Sequence, residues 1–415
     1  MACVDIGSTW TKAALVGLPA GELLATAQAP TTPDDVVRGV LAAVGGWPAP
    51  VRACSSAGGG LRLAVVGYEA LISAEAGRRV ALSAGARVVH VAAGRLDDAG
   101  LAALRGAAPD VVLLVGGTDG GDAAVLRSNA AALARAAGSV PVVLAGNAAV
   151  QQEVNAVLAG SGVPVTATAN VLPDIGRLEP EPARAAIRAA FLRHVIGGSR
   201  LSADPRLREW VRAVTPDAVL EGVAVLATLR ATAEVPGVVV VDVGGATTDV
   251  YCVPGADAEQ ATLGREAVGV PARRRTVEGD LGVASTVADL RAAAAAEGLS
   301  AEGLAPAGED PLALGAAAAT VALRRHLRAE AAYGPGGAGA RTSGLVVLSG
   351  GVFRHADAAA LDAVVPRLAA DRGGAGTVLA GAEVTVDHRY VLAAAGLLAR
   401  DHPDAATGLA RTLLP

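Results

Sequence analysis

The stretch that most constrains the fold is residues 238–251, VVVVDVGGATTDVY. Four consecutive valines predict a strand that ends at Asp242, and Gly244-Gly245 permits a tight turn before a second strand. Such a turn brings backbone N–H groups close to an anion, while nearby hydroxyls and carboxylates suit phosphate and hydrated Mg²⁺. The polar side chains available are those of Asp242, Thr247, Thr248 and Asp249. An ordinary tight hairpin in a buried sheet would explain the same pattern, because Gly-Gly turns are common.

A second copy of this pattern lies near the start of the chain, at residues 2–16, ACVDIGSTWTKAALV. A short apolar strand again ends in an aspartate, Asp5, and Gly7 follows it. The hydroxyls of this segment belong to Ser8, Thr9 and Thr11. Two such hairpins that face each other would hold one polyphosphate between the two aspartates.

Residues 344–355, GLVVLSGGVFRH, supply a third segment, in which a strand leads to Gly350-Gly351. Backbone at a glycine pair can approach a flat ring or a ribose closely. In order and spread, the three segments resemble the phosphate-1, phosphate-2 and adenosine motifs of the actin, sugar kinase and DnaK-type chaperone superfamily. The resemblance implies an α/β protein with the two-lobed, actin-like ATPase fold, whose RNase H-like lobes bind ATP and Mg²⁺ between them. Asp5 and Asp242 would then hold the metal from opposite lobes.

Lys12 is the single lysine among the 35 basic residues, and it lies within the first hairpin. A compact ammonium can reach a β- or γ-phosphate in a cleft too narrow for a guanidinium. We therefore predict a catalytic role for Lys12, with a solvent-facing strand residue as the alternative.

Composition and charge exclude several functions. The net charge is −5 and no basic stripe is interleaved with aromatic residues, so nucleic-acid binding is not expected. We see no charged leader before an apolar segment and no apolar run of membrane-spanning length, so we expect a cytoplasmic protein without membrane association. Three scattered cysteines fit core positions in a reducing compartment.

Alternating strand and helix patterns between residues 86 and 170 predict an inserted α/β segment with a parallel sheet. We expect lobe I at 1–214, including this insertion, lobe II at 215–388, and a C-terminal helix at 389–415 that returns toward lobe I. Residues 61–82 resemble a helix, and residues 273–286 a charged loop. The loop at 116–122, GGTDGGD, carries two aspartates, which favours a structural or partner-binding role over a second nucleotide site.

Three further stretches resemble one family of the superfamily: residues 54–67 (CSSAGGGLRLAVVG), 170–192 (NVLPDIGRLEPEPARAAIRAAFL) and 275–282 (RTVEGDLG). They are similar to the MutL/GlmL family, the accessory proteins of adenosylcobalamin-dependent glutamate mutase. The resemblance implies an ATP-dependent, chaperone-like reactivating factor that releases damaged cobalamin and has mutase subunits as partners.

Two other classes stay open at this point. A small-molecule kinase would use the same cleft with a catalytic carboxylate, for which Asp217 and Asp280 are available. Asp217 and Glu221 could instead position an attacking water, although Thr215 as a helix N-cap, with Asp217 in the first turn, explains this segment without catalysis. An actin-like filament protein is the third class.

Overall fold

The computed structural model describes residues 1–58, 61–69, 73–83, 86–136, 140–196, 201–230, 237–253, 273–300, 304, 310–331, 344–371 and 382–414. The chain forms two compact units. The first unit comprises Met1–Thr31, Arg38–Cys54 and Thr215–Pro415, and the second comprises Thr32–Val37 and Ser55–Val214. The predicted lobe boundaries stay a prediction.

The elements alternate between strands and helices along most of the chain. The strands are β1 (Ala2–Ile6), β2 (Trp10–Gly17), β3 (Glu22–Pro30), β4 (Val51–Ser55), β5 (Arg62–Gly67), β6 (Arg87–Ala93), β7 (Val111–Leu114), β8 (Val142–Leu144), β9 (Val165–Ala167), β10 (Val211–Val214), β11 (Val238–Val243), β12 (Thr248–Val253), β13 (Arg274–Glu278), β14 (Leu345–Ser349) and β15 (Glu383–Val386).

The α-helices include two long ones, Thr215–Arg230 and Pro311–Ala331, among shorter ones. They are α1 (Val36–Val44), α2 (Ser73–Ser83), α3 (Asp98–Gly106), α4 (Ala124–Ala136), α5 (Gln151–Gly160), α6 (Pro180–Phe191), α7 (Arg206–Trp210), α8 (Thr215–Arg230), α9 (Val287–Ala296), α10 (Pro311–Ala331), α11 (Gly351–Arg354), α12 (Ala358–Ala369), α13 (Val391–Leu398) and α14 (Pro403–Arg411). A 3-10 helix (Ala148–Val150) precedes α5 and a π-helix (Leu192–Ile196) follows α6. Among the described residues, no helix has both the length and the apolarity to span a bilayer.

The first unit contains two sheets, each of which includes one of the predicted hairpins. In one sheet β1 and β2 pair antiparallel, and the strands lie in the order β4-β1-β2-β3. In the other, β11 and β12 pair antiparallel, and the order is β13-β12-β11-β14-β15. Val238–Val241 are fully buried, which explains why this central strand has a continuous apolar run without polar alternation.

The second unit contains a parallel sheet in the order β6-β5-β7-β8-β9. The prediction of a parallel α/β segment is therefore confirmed. The predicted helix over 61–82 is wrong in its first part, since Arg62–Gly67 forms the strand β5, which pairs with both β6 and β7. Helix α2 begins only at Ser73, and residues 70–72 lie outside the described part of the chain.

The predicted loop over 273–286 is also wrong in part, because Arg274–Glu278 forms the edge strand β13 beside β12. Its arginines are accounted for by charge pairing. Arg275 lies 2.7 Å from Asp249 in an ion pair, so a side chain that looks like part of a solvated loop neutralises a buried carboxylate.

Candidate functional site

The two hairpins have the same turn geometry. In the first, the Gly7 N–H donates to the Trp10 carbonyl oxygen at 3.1 Å, and in the second the Gly244 N–H donates to the Thr247 carbonyl at 2.9 Å. The strand ladders pair Asp5 with Lys12 and Asp242 with Asp249. Each hairpin thus places an aspartate two residues before a glycine that closes a four-residue turn.

The tips of the two turns lie next to each other within the first unit. A Cβ atom added to Gly245 would lie 3.9 Å from the Thr9 hydroxyl oxygen and 3.4 Å from the Ala284 Cβ. Ser8 and Thr9 are exposed, whereas Thr247 is half-buried. The structure therefore brings the tips of the predicted phosphate-1 and phosphate-2 hairpins together, at Thr9 and Gly245.

Thr11 and Thr248 are fully buried and their hydroxyls contact protein atoms. Thr31 donates its hydroxyl proton to the Gly7 carbonyl at 2.9 Å, so Thr11 is the donor in the 2.9 Å bond to Thr31. The Thr248 hydroxyl donates to the Leu281 carbonyl at 2.7 Å. These bonds fix the bases of the hairpins, and the predicted phosphate contacts of both threonines stay predictions.

Residues 282–285 hold the tip of the second hairpin. The N–H groups of Ala284 and Ser285 both donate to the Gly245 carbonyl at 2.8 Å, and Val283 N–H donates to Gly244 at 3.1 Å. A Cβ on Gly282 would lie 2.4 Å from the Ala246 carbonyl carbon, so only glycine permits this approach. Sequence reasoning did not find this support, although Gly282 ends one of the family-like stretches.

Asp5 is surrounded by three side chains of the first unit. The Thr215 hydroxyl donates to its Oδ1 at 2.6 Å, the Lys12 ammonium lies 3.6 Å from its Oδ2, and the Cys54 thiol donates to Oδ1 at 3.7 Å. Burial raises the pKa of Cys54 well above its usual value, so the thiol stays a donor. Thr215, predicted as a helix cap, is the first residue of α8 and fixes the Asp5 carboxylate.

Asp242 is a carboxylate in an unfavourable environment for negative charge. Burial raises its pKa to about 6, the positive charge of Lys12 opposes that rise, and the carboxylates of Asp249 and Asp5 reinforce it. Asp242 is half-buried, and Asp249, opposite it in the ladder, is ion-paired with Arg275. The described residues contain no cluster of three or more metal-ligating side chains, so Asp5 and Asp242 would hold Mg²⁺ through its water molecules.

Lys12 does not extend freely into solvent, since its side chain is only 24% exposed and forms an ion pair with Asp5. Its ammonium lies 4.0 Å from the centre of the Tyr390 ring and 3.6 Å from the Asp5 carboxylate. Burial is the largest single influence and would lower its pKa, but Asp5, Tyr390 and Asp242 together outweigh that effect and the pKa is raised. Lys12 therefore remains a cation beside the turn.

The third motif lies beside the second hairpin, because β14 pairs in parallel with β11 and places Ser349 opposite Asp242. Gly350 has φ +113°, and a Cβ there would lie 2.1 Å from the Val243 carbonyl oxygen. The sequence therefore needs glycine at Gly350, which allows β14 to turn directly into α11.

Two of the remaining acidic candidates, Glu221 and Asp280, are paired with arginines, and the third, Asp217, lies in the first turn of α8. Glu221 lies 3.2 Å from Arg273, and both side chains are exposed. Asp280 accepts two hydrogen bonds from Arg325, at 2.8 and 2.9 Å, and these bonds hold the pKa of Asp280 below its usual value. Neither carboxylate is available as a free general base in this arrangement.

Two matched hairpins with strand-end aspartates, in adjoining sheets of an α/β protein, define the class: an actin-like ATPase fold. Among solved structures, an acetone carboxylase, nucleotide-free, aligns with 14% identity and TM-score 0.38, over 96% of this chain and 70% of that chain. A ROK hexokinase from Thermus thermophilus aligns with 15% identity and TM-score 0.26, over 99% and 98%. Because these scores are low, the class rests on the topology of the two sheets.

Within that class, the sequence matches the family described as MutL protein over residues 1–311 and 308–414. The chain belongs to this family. A curated relative, Protein MutL of Clostridium tetanomorphum, is 36% identical over 296 residues, which cover 68% of this chain and 63% of the relative. The match thus spans less than two thirds of the relative's length.

Proposed function

We propose that the first unit binds Mg-ATP between the two hairpins and hydrolyses it. The observation that carries this proposal is the pair of equivalent turns, whose tips lie side by side and whose strands end in Asp5 and Asp242. In this proposal the boundary between the lobes falls at residue 214. The C-terminal segment 389–415 returns toward lobe I.

Each part of the site has a physical role in this proposal. Gly7, Gly244 and Gly245 let the turn backbones approach a polyphosphate, and the Ser8 and Thr9 hydroxyls are exposed to donate to it. Asp5 and Asp242 would hold water molecules of Mg²⁺, whose charge when bound neutralises phosphate oxygens. In this proposal the nucleoside lies against the Gly350-Gly351 backbone at the start of α11.

Lys12 supplies the cation of the site. Its ammonium is held near Asp5 and has three donors that can turn toward a β- or γ-phosphate oxygen. Phosphoryl transfer depends mainly on positioning and charge stabilisation, so a fixed ammonium beside the turn suits hydrolysis of ATP.

We further propose that this ATPase is a reactivating factor for an adenosylcobalamin-dependent carbon-skeleton mutase, with glutamate (methylaspartate) mutase as the first candidate. Membership of the MutL family supports the proposal, as do the family-like stretches that lie outside the hairpins. A nucleotide that contacts both sheets stabilises the closed arrangement more than the open one, so hydrolysis changes the balance between them. That change could separate damaged cobalamin from a bound mutase.

The test measures ATP hydrolysis by the purified protein with and without a cobalamin-inactivated mutase, and cobalamin release in the same samples. We expect the mutase to stimulate hydrolysis and to regain activity only when ATP is present. Asp5→Asn and Asp242→Asn serve as controls that should fold normally but lose magnesium-dependent hydrolysis. If a sugar or a short-chain acid acquires the γ-phosphate instead, the protein is a small-molecule kinase.

A further inference from the structure

The Lys12 ammonium has a neighbour that is remote in sequence. The ring of Tyr390 lies under it at 4.0 Å from Nζ to the ring centre, a distance at which a cation is attracted to the electron-rich ring face. Lys12 therefore contacts two residues that are far apart in the sequence. Asp5 lies in its own hairpin, and Tyr390 is the residue directly before α13.

The same ring also carries a second cation. The guanidinium carbon of Arg354, at the end of α11, lies 4.6 Å from the Tyr390 ring centre. Because α11 begins at Gly351, within the third motif, the ring connects the first hairpin with the segment predicted to approach the nucleoside. A Cβ on Gly351 would lie 3.8 Å from the Tyr390 hydroxyl oxygen, which places the whole side chain along this segment.

The backbone of Tyr390 is held in an uncommon conformation. Its φ of +54° lies in the left-handed region, which a residue with a large side chain rarely adopts. Asp387 stabilises the turn, since its carboxylate accepts from the N–H groups of Val391 at 3.0 Å and of Leu392 and Arg389 at 3.3 Å. The ring is thus aimed at Lys12 by a turn that the buried carboxylate of Asp387 holds through three hydrogen bonds.

Helix α13, which follows Tyr390, is packed tightly on α8. A Cβ on Gly396 would lie 1.7 Å from the Ala218 carbonyl oxygen, and one on Gly222 would lie 2.0 Å from that of Leu392. Helix α8 begins with Thr215, whose hydroxyl holds Asp5 at 2.6 Å. The Asp5–Lys12 pair is therefore contacted from the starts of two closely packed helices. Thr215 of α8 contacts Asp5, and Tyr390, directly before α13, contacts Lys12.

We propose that Tyr390 is a positioning residue, whose ring, itself packed against Arg354, holds the Lys12 ammonium beside the first turn where it can bind a nucleotide phosphate. The proposal rests on the proposed function for its nucleotide part, because a phosphate is what Lys12 is positioned to bind. Without the ring, the ammonium loses one of its two anchors, and we expect slower hydrolysis at nearly unchanged nucleotide affinity.

The placement can be tested without any nucleotide, because Lys12 is the single lysine of the chain. Reductive methylation with ¹³C-formaldehyde labels its amine and the N-terminal amine, and the signal that disappears in Lys12→Arg is that of Lys12. We expect this methyl signal at an upfield position from the ring current of Tyr390, retained in Tyr390→Phe and lost in Tyr390→Leu. A signal in the wild-type protein at the position of free dimethyl-lysine would overturn the proposal, whatever the ATPase does.

Kinetic and binding measurements on unmethylated protein then test whether Tyr390 contributes to ATP hydrolysis. We expect kcat for ATP to fall about fivefold in Tyr390→Leu with less than about twofold change in the Kd of Mg-ADP, and Tyr390→Phe to stay within about twofold of wild type. Tyr390→Asn provides a second ring-free variant, because asparagine tolerates the left-handed backbone. If that variant keeps wild-type kcat, or if Tyr390→Phe falls as far as Tyr390→Leu, the ring does not position Lys12.

The two proposals fail in different ways. An upfield Lys12 signal that does not move when Mg-ADP is added, in a protein that does not hydrolyse ATP, refutes the nucleotide site and with it the positioning role. A normal ATPase with no ring-current shift leaves the nucleotide site intact and refutes the role of Tyr390 alone.

Discussion

At the scale of single residues, the sequence located the two hairpins but not the contacts that support them. Asp5 and Lys12 face each other across one hairpin, so a local pattern predicted that they belong together. Thr215 and Tyr390 contact the same pair from more than 200 residues further along the chain. Their contacts with this pair were not predicted, because a tertiary contact over such a sequence distance leaves no local signal.

Lys12→Arg keeps the positive charge, but we expect it to reduce ATP hydrolysis at least about tenfold, or ~1.4 kcal/mol of transition-state stabilisation. The planar guanidinium cannot occupy the position between Asp5 and the Tyr390 ring and also present a compact donor to a phosphate. Steady-state ATPase rates and a melting curve on the purified variant measure the two effects. Unaltered turnover would mean that Lys12 has no catalytic part, and a collapsed Tm that its part is structural.

Asp242→Asn tests the charge of the site through the pH dependence of stability. The pKa of Asp242 is raised to about 6 from 3.8, mainly by burial, so the folded state binds a proton more tightly than the unfolded chain. The contribution of this group is then fully present below pH 3.8 and is lost as the pH rises through about 6. In EDTA, the free energy of unfolding of Asp242→Asn relative to that of wild type should rise by about 1–3 kcal/mol when the pH is raised from 4 to 8.

Urea unfolding at both pH values measures this difference. Asp362→Asn, which removes an exposed carboxylate from α12, is the matched control and should show the same pH dependence as wild type. If the stability difference between Asp242→Asn and wild type is the same at both pH values, the pKa of Asp242 is not raised in the folded protein.

At the scale of elements, the misassigned segments share a cause. Residues 62–67 form a strand buried between two neighbours in a parallel sheet, so they lack the polar alternation that distinguishes a strand from a helix. Residues 274–278 look like a charged loop, because the partner that neutralises Arg275 lies on another strand. By contrast, the hairpins were predicted correctly, since glycine turns and valine-rich strands act locally.

The crossing of α8 and α13 makes an element-scale prediction about glycine. Gly396→Ala places a methyl group 1.7 Å from the Ala218 carbonyl oxygen, so the helices must separate, and we expect a loss of about 1–3 kcal/mol or more. Gly160→Ala, at the end of α5, has nothing within 4 Å of the added methyl and should be neutral or slightly stabilising. Calorimetry measures the Tm of both variants. Equal Tm values would mean that α8 and α13 separate at little cost in stability.

At the scale of the whole molecule, the second unit is built on a separate parallel sheet that supports the loop 116–122. Its five-stranded parallel sheet, in the order β6-β5-β7-β8-β9, places the loop 116–122 at the carboxyl end of β7. Asn147 and Asn170 hold this loop: Asn147 accepts from Gly120 N–H at 3.0 Å, and Asn170 donates to Asp119 at 2.8 Å. These bonds support the structural interpretation of the loop over a second anion site.

The last prediction separates the two units by hydrogen exchange. Mg-ADP should slow amide exchange at the turns 7–10 and 244–247 and at Gly350-Gly351, because these backbones form the proposed nucleotide site. The parallel sheet of the second unit, with the loop 116–122, should exchange at the same rate with or without nucleotide. Asp242→Asn is the control in which protection of the turns should weaken at equal nucleotide concentration. Mass spectrometry of peptic fragments reports each region separately. Protection at 116–122 that persists in Asp242→Asn would mean that the second unit binds nucleotide itself, which would require an anion site beside two aspartates.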